Sequence, residues 1–284
     1  MRRPAEPPRL LSRRQALGTG LLGATGLTLA GCGGGDAGSV SAASGSSSGS
    51  SSSSGGSSGS SGSSSGGSGS GSCLVSAPSC IVAPTETIGP YPAFSGGIVT
   101  LASLWRADIT TDVAGTYAQR TGVPLTVTLK IVNPGNACEP LAGYDVYIWH
   151  CDKDGYYSFY ANQPGYLGTQ SYTNGYFLRG VQTTDACGEV SFQTIFPGWY
   201  TGRYTHIHVV VALSTTTEAV TQFTFPAAVI DTVYASSQYS AHGANIVTLA
   251  TDNVFSDGAS GQVADTSGSV DAGYTATWVL GVAM

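Results

Sequence analysis

Two of the chain's four histidines fall in one tripeptide, His206-Ile207-His208. On an extended strand residues i and i+2 face the same way, so both imidazoles can meet a single metal ion. The run that follows, Val209-Val210-Val211, is β-branched and favours a strand. Taken alone, the tripeptide fits a zinc, copper or nickel site equally well, and it also fits an exposed strand with no metal. Upstream lie aromatic and turn-forming residues in a fixed order. Val146-Tyr147-Ile148-Trp149-His150-Cys151-Asp152 is followed by Gly155-Tyr156-Tyr157-Ser158, then by Thr194-Ile195-Phe196-Pro197-Gly198-Trp199-Tyr200 and Gly202-Arg203. Read without further context, Tyr157 is one aromatic in a run of several, Tyr200 a turn tyrosine and Arg203 a solvated turn residue. His150 and His242 read as surface histidines, and Trp149 as a packing residue.

Taken together and in this order, the motifs from Cys80 to about Phe225 resemble the intradiol ring-cleavage dioxygenases, which include the catechol and protocatechuate 3,4-dioxygenases. The resemblance implies a ferric ion, Fe(III), held by two tyrosines and two histidines. By motif these are Tyr157, Tyr200, His206 and His208, with Tyr200 and His208 axial and Tyr157 and His206 equatorial. It further implies that Arg203 lies beside the substrate, that Gln222 supports it from the next strand, and that Gly89-Pro90-Tyr91 lines the substrate pocket. The implied reaction uses O2 to open a catecholic ring between its two hydroxyl-bearing carbons, giving a muconate-type diacid. The residue types suit that chemistry. Phenolate oxygen is a hard donor, and a strongly charged cation ionises a tyrosine well below its ordinary pKa near 10. Two phenolates favour the ferric state, which acts as a Lewis acid. A register check follows from the same reading: on an extended segment Tyr156 points away from Tyr157. The residues after Tyr200, Thr201 and Gly202, are smaller than those of the protocatechuate enzymes, which leaves the particular catechol open.

The elements that must position these groups read as strands. Val123 to Val132 alternates, with Leu125, Val127, Leu129 and Ile131 on one face. Tyr144–Trp149, Val190–Ile195, His206–Leu213, Thr221–Phe225 and Tyr274–Val282 read likewise, with Gly, Pro, Asn and Asp in the gaps. No segment has a long helical period. The expectation is an all-β domain, an antiparallel β-sandwich, with a long Tyr-, Gly- and Asn-rich functional loop over residues 156–179. A tethered β-sandwich also suits a non-catalytic binding module, which would have no need of the tyrosine motifs.

The N-terminal part has a different composition. Arg13-Arg14 precedes a short apolar run, Ala16–Ala30, that is too short to span a bilayer as a stop-transfer helix. Residues 1–31 therefore read as a twin-arginine export signal. Leu29-Ala30-Gly31-Cys32 resembles a lipoprotein cleavage site, which makes Cys32 the lipidated first residue and anchors the protein to a membrane outside the cytoplasm. From 33 to 72 the chain is almost entirely Gly and Ser. It cannot bury apolar surface and reads as a tether with a reach of about 35 Å. Residues 73–284 form one catalytic domain. The net charge is −6 with no basic patch, which argues against a nucleic-acid partner. Leaving Cys32 aside, Cys73, Cys80, Cys138, Cys151 and Cys187 suit an oxidising compartment, with two disulfides and one thiol. Cys138 with Cys187 is the favoured pair, because each lies in a turn just before an apolar strand.

Overall fold

The computed structural model describes residues 73–93, 101–214 and 216–284. The signal, Cys32 and the Gly/Ser tether lie outside the described residues. Among the described residues, eleven strands and one α-helix run in the order β1 (Pro124–Asn133), β2 (Glu139–Pro140), β3 (Asp145–Trp149), β4 (Gln163–Gly165), β5 (Gly168–Gln170), β6 (Arg179–Thr183), β7 (Glu189–Ile195), β8 (Ile207–Leu213), β9 (Thr216–Phe223), α1 (Ala227–Tyr234), β10 (Asp265–Ser269) and β11 (Gly273–Gly281), with short 3-10 turns at Ala102–Leu104 and Phe255–Asp257. All six expected strands form, with ends that differ by a few residues. Helix α1 begins after Pro226, whose fixed φ suits a helix start.

One sheet has the order β10-β11-β1-β2, with β7 also paired to β1. The other has the order β6-β3-β8-β9, and β4-β5 is a separate hairpin. The expected all-β sandwich forms, with one strand pair that is not antiparallel. Strand β1 runs parallel to β11, from Leu125 opposite Tyr274 to Val132 opposite Gly281. A parallel pair needs a long crossover, and here nearly the whole domain lies between the two strands.

The core fills the space between the sheets. Leu125, Val127, Leu129 and Ile131 of β1 meet Val146 and Ile148 of β3, Val209 and Val211 of β8, and Phe223 of β9. The β6-β3-β8-β9 sheet is also covered on its other face. There Tyr147, Trp149, Val181 and Val210 form a second cluster with Leu104, Cys151 and Tyr157, packed by Tyr91, Tyr160, Tyr176 and Tyr200. With period-two alternation, the residues of β8 that avoid the main core face this second cluster.

Two disulfides and one thiol form as expected, but the favoured Cys138–Cys187 pair is overturned. Cys73 pairs with Cys187 and Cys80 with Cys138, while Cys151 is a buried thiol. Both turn cysteines take partners from the segment entering the domain, which runs against the first sheet and bridges to it at Val82–Gly281. Glu189 fixes the same segment by accepting the Leu74 and Val75 N–H groups and pairing with Lys130 at 3.2 Å. Among the described residues no helix is long and apolar enough to cross a membrane.

Candidate metal centre

Strand register builds one side of the site. Trp149 of β3, His208 of β8 and Gln222 of β9 are direct cross-strand neighbours and so share a face. The Trp149 and His208 rings stack 4.6 Å apart and almost parallel, which holds the imidazole plane. His206 precedes β8 by one residue and keeps the same direction: its Nε2 lies 3.1 Å from His208 Nε2. His206 Nδ1 donates to the Tyr204 carbonyl at 2.5 Å, which directs the Nε2 lone pair inward. Burial, with Arg203 nearby, pushes the His206 pKa down to about 3. Burial, then His206 and Arg203, hold His208 well below the ordinary histidine range. Both rings are neutral, the form that ligates metal.

The tyrosine side comes from loops. Tyr157 lies in the β3–β4 connection, where the Gln163 side-chain amide stands in for a neighbouring strand. Its Oε1 accepts the Tyr157 N–H at 2.8 Å and its Nε2 donates to the Tyr157 carbonyl at 2.7 Å. Tyr157 Oη lies 3.4 Å from His206 Nε2. Tyr200 lies in the β7–β8 connection, with its ring 5.6 Å from those of Tyr157 and His206. The two loops touch backbone to backbone. Gly198 N donates to the Asp152 carbonyl, and a Cβ on Gly155 would lie 2.2 Å from the Trp199 carbonyl oxygen. Gly155 also has φ +88°, so a side chain there is doubly excluded. Burial drives the Tyr157 hydroxyl well above the usual tyrosine pKa and pushes Tyr200 up to about 12, so without a cation both are phenols. Tyr157 is fully buried, whereas Tyr200 is half-buried.

Arg203 donates from Nη2 to Gln222 Oε1 at 2.6 Å and from Nε to Asp252 Oδ2 at 2.9 Å. Its Nη1 lies 3.4 Å from both Tyr200 Oη and His206 Nε2. Gln222 in turn donates to the Thr87 carbonyl at 2.8 Å. Burial opposes ionisation of Asp252, but the Tyr204 N–H and the Arg203 guanidinium outweigh it and hold the carboxyl below its ordinary value.

The segment Gly89-Pro90-Tyr91, expected to line the substrate pocket, lies against His208 and Tyr157. Gly89 stands directly over His208, and a Cβ there would lie 2.9 Å from the imidazole Cε1. Pro90 is exposed. Tyr91 stacks on Tyr157 with ring centroids 4.7 Å apart. Tyr156 does diverge from Tyr157: its hydroxyl donates to the Gly168 carbonyl at the β4–β5 hairpin.

His150 and His242 correct the surface expectation, since both are buried. His150 Nε2 meets Thr194 Oγ1 of β7 at 2.8 Å, a polar bridge between the sheets, and its pKa is lowered to about 4 by burial. His242 packs edge-on against Trp199. Three further residues were not singled out from sequence. Arg179 is fully buried and binds the Tyr91 and Ser158 carbonyls with two nitrogens, tying the cover to the Tyr157 loop. Gln163 and Asp252 are the others. None belongs to a short motif, though a lone arginine inside an apolar stretch is a usable signal.

His206 Nε2 lies 3.4 Å from Tyr157 Oη and 3.1 Å from His208 Nε2, the spacing expected of neighbouring ligands on one metal at bonds of about 2.0–2.1 Å. Two neutral imidazoles and two hard oxygens make a donor set that suits iron. The His/Cys/Asp/Glu grouping elsewhere, Cys73, Cys187 and Glu189, includes a disulfide and offers no thiolate.

A family model described as Dioxygenase matches residues 100–254, more than half of the chain. That range holds Tyr157, Tyr200, Arg203, His206, His208, Gln222 and Asp252, but not Gly89-Pro90-Tyr91. Among solved structures, the chain is similar to an intradiol ring-cleavage dioxygenase from Tetranychus urticae at 26% identity and a TM-score of 0.60, covering 72% of this chain and 95% of that one. It also aligns with the dioxygenase domain of a dioxygenase–carbohydrate-binding protein fusion from Streptomyces sp. SirexAA-E, at 26% identity and a TM-score of 0.47, covering 72% of this chain and 100% of that one. A 3-chlorocatechol 1,2-dioxygenase from Rhodococcus opacus 1CP aligns at 16% identity and a TM-score of 0.45, covering 71% of this chain and 72% of that one. No curated protein matches the chain in sequence.

Proposed function

The chain belongs to the intradiol ring-cleavage dioxygenase family, and on that premise we propose that it binds Fe(III) through Tyr157, Tyr200, His206 and His208 and opens a catechol ring with O2 to a muconate-type diacid. The observation that carries this reading is the convergence of two loop tyrosines on two strand histidines beside a buried arginine. When bound, ferric iron supplies Lewis acidity that ionises both hydroxyls of a catechol and opens its ring to attack by O2.

The chain's own groups divide the remaining work. Ionised by the bound cation, Tyr200 would be the more exposed of the two phenolates, so its Oη would be the site that takes up a catechol proton as substrate enters. Tyr157, His206 and His208 are fully enclosed and keep their places. Arg203 Nη1, 3.4 Å from Tyr200 Oη, stabilises negative charge as it develops on the ring. Tyr91, stacked on Tyr157, keeps water from that side.

The test combines metal analysis, a visible spectrum and oxygen uptake with catechol, protocatechuate and hydroxyquinol, with products identified by mass. About one iron per chain, a red-brown colour from phenolate-to-ferric charge transfer, and one diacid product are expected. A colourless protein with stoichiometric zinc would overturn the reading.

The same proposal places the enzyme outside the cytoplasm, anchored through a lipid on Cys32 and held off the membrane by the Gly/Ser tether. The twin-arginine route moves folded proteins, so iron can be loaded before export. Cys32→Ala should release the protein from the membrane fraction or block its processing. Recovery of the unchanged protein in the cytoplasm with residues 1–31 intact would refute the anchor.

A further inference from the structure

The Arg203 guanidinium is gripped at two of its three nitrogens, by groups of different kinds. Gln222, on the strand beside His208, takes Nη2 with a neutral amide oxygen at 2.6 Å. Asp252, from the loop between α1 and β10, takes Nε with a carboxylate oxygen at 2.9 Å. A guanidinium is a rigid plane with its donors at fixed angles, so two anchors define where the third nitrogen points. That nitrogen, Nη1, is the one aimed at Tyr200 Oη and His206 Nε2. We propose that Asp252 is a positioning residue for the ring-opening reaction: it fixes the orientation of Arg203 and balances its charge, so that Nη1 faces the reacting ring. The inference rests on the place given to Arg203 above.

Asp252 is unusually well fixed for this task. It is fully buried. Oδ2, the oxygen that holds Arg203, also accepts the Tyr204 N–H at 2.6 Å, while Oδ1 accepts the N–H groups of Val254 and Phe255 at 2.7 and 3.0 Å. The Oδ1 bonds fix the carboxylate to its own loop, and the Oδ2 bonds join that loop to the Arg203 side chain and the Tyr204 backbone. Asn245, on the same loop, donates to the Arg203 carbonyl at 3.2 Å. The loop thus holds the arginine by side chain and backbone together. A carboxylate suits this position better than an amide, because removing one partner of a buried ion pair leaves the other charge uncompensated.

The simpler role for Asp252 is to cap its own turn through Oδ1. Asp252→Asn separates the two roles, because the amide oxygen at the Oδ1 position still accepts the Val254 and Phe255 N–H groups while the charged Oδ2 acceptor that faces Arg203 Nε and the Tyr204 N–H is lost. The positioning role predicts a folded variant with full iron content and an unchanged resting charge-transfer band. Its kcat should fall roughly 10–100-fold with little change in KM. The variant is then placed on Arg203→Ala. If Asp252 acts through Arg203, the second substitution costs little more, a non-additive cycle. A capping role gives additive losses that follow the melting temperature. Should Asp252→Asn not be recovered folded, Asp252→Glu, which keeps the charge but moves it by one methylene, carries the same cycle. Iron-loaded Asp252→Asn with a kcat within twofold of the unchanged enzyme, or an additive cycle, overturns the positioning role. Failure of the unchanged iron-loaded enzyme to consume O2 with any catechol overturns the functional reading instead, so the two failures are distinct.

Discussion

The histidine side and the tyrosine side of the centre are built by different means. His206 and His208 inherit their direction from strand alternation, and their neighbours Trp149 and Gln222 are set by register. Tyr157 and Tyr200 sit on connections with no ladder of their own. Their positions depend on the Gln163 amide, on Arg179 bonded to Ser158, and on two glycines that let the loops touch. A sheet places its side chains through many shared hydrogen bonds, and a loop through a few particular ones. The sheet side should therefore tolerate changes around it, and the loop side should not.

The largest effect is expected where a sheet-borne ligand itself is removed. His208→Ala should leave less than about a tenth of the iron and no measurable ring cleavage, while the strand persists. Metal analysis and circular dichroism check this together. Gly155→Val comes next. It leaves every proposed ligand in place but forces apart the two loops, and strain at a positive φ alone costs about 1–3 kcal/mol. Loss of colour and a lowered melting temperature should occur together; a normally coloured variant would mean that the loops do not need this contact.

The two tyrosines should then differ from each other. Tyr157→Phe should weaken the charge-transfer band with and without substrate. Tyr200→Phe should alter the resting spectrum, keep part of the iron and slow turnover, because the proton acceptor is gone. Identical spectra for the two variants would remove the distinction between a fixed and a displaced phenolate.

A smaller effect is expected from pH, and it reads the sheets rather than the loops. His150 bridges them as a neutral imidazole, with its folded pKa lowered from 6.5 to about 4 by burial. The unfolded chain takes up the proton first as pH falls, so this contribution is complete above about pH 6.5 and is lost as pH drops toward 4. The shift corresponds to about 3 kcal/mol. Urea unfolding between pH 7 and 4 should show that slope, and His150→Gln should flatten it. The smallest effect belongs to Tyr156→Phe. It loses one hydrogen bond to the β4–β5 hairpin, worth about 1 kcal/mol, and should leave spectrum and rate close to those of the unchanged enzyme. If it behaves like Tyr157→Phe, the register of this loop is shifted by one.

Much of the site was legible because its residues are local in sequence. The His-x-His spacing needs only strand geometry to act, and the alternation of Leu125, Val127, Leu129 and Ile131 needs only a buried face. The short strands β2, β4, β5, β6 and β10 carry no such pattern, being largely polar or no more than five residues long. The error in the disulfides has a similar origin. Turn position says where a cysteine lies along its own strand, not which other segment passes beside it. His150 looked like a surface residue because a lone histidine has no period, and its partner Thr194 lies on the other sheet.

The sequence by itself determined the all-β character, six strands, the directions of His206 and His208, and the change in composition between the first 72 residues and the rest. Each follows from a short-range rule, alternation or composition, that needs no distant partner. Tertiary structure alone decided the parallel β1–β11 pair, the cysteine partners, the closing of Gly89 over His208, and the grip of Asp252 on Arg203 across 49 positions. These are contacts between segments remote in the chain. Their partners are selected when the two sheets pack and the loops close over one face, and no spacing along the sequence encodes that choice.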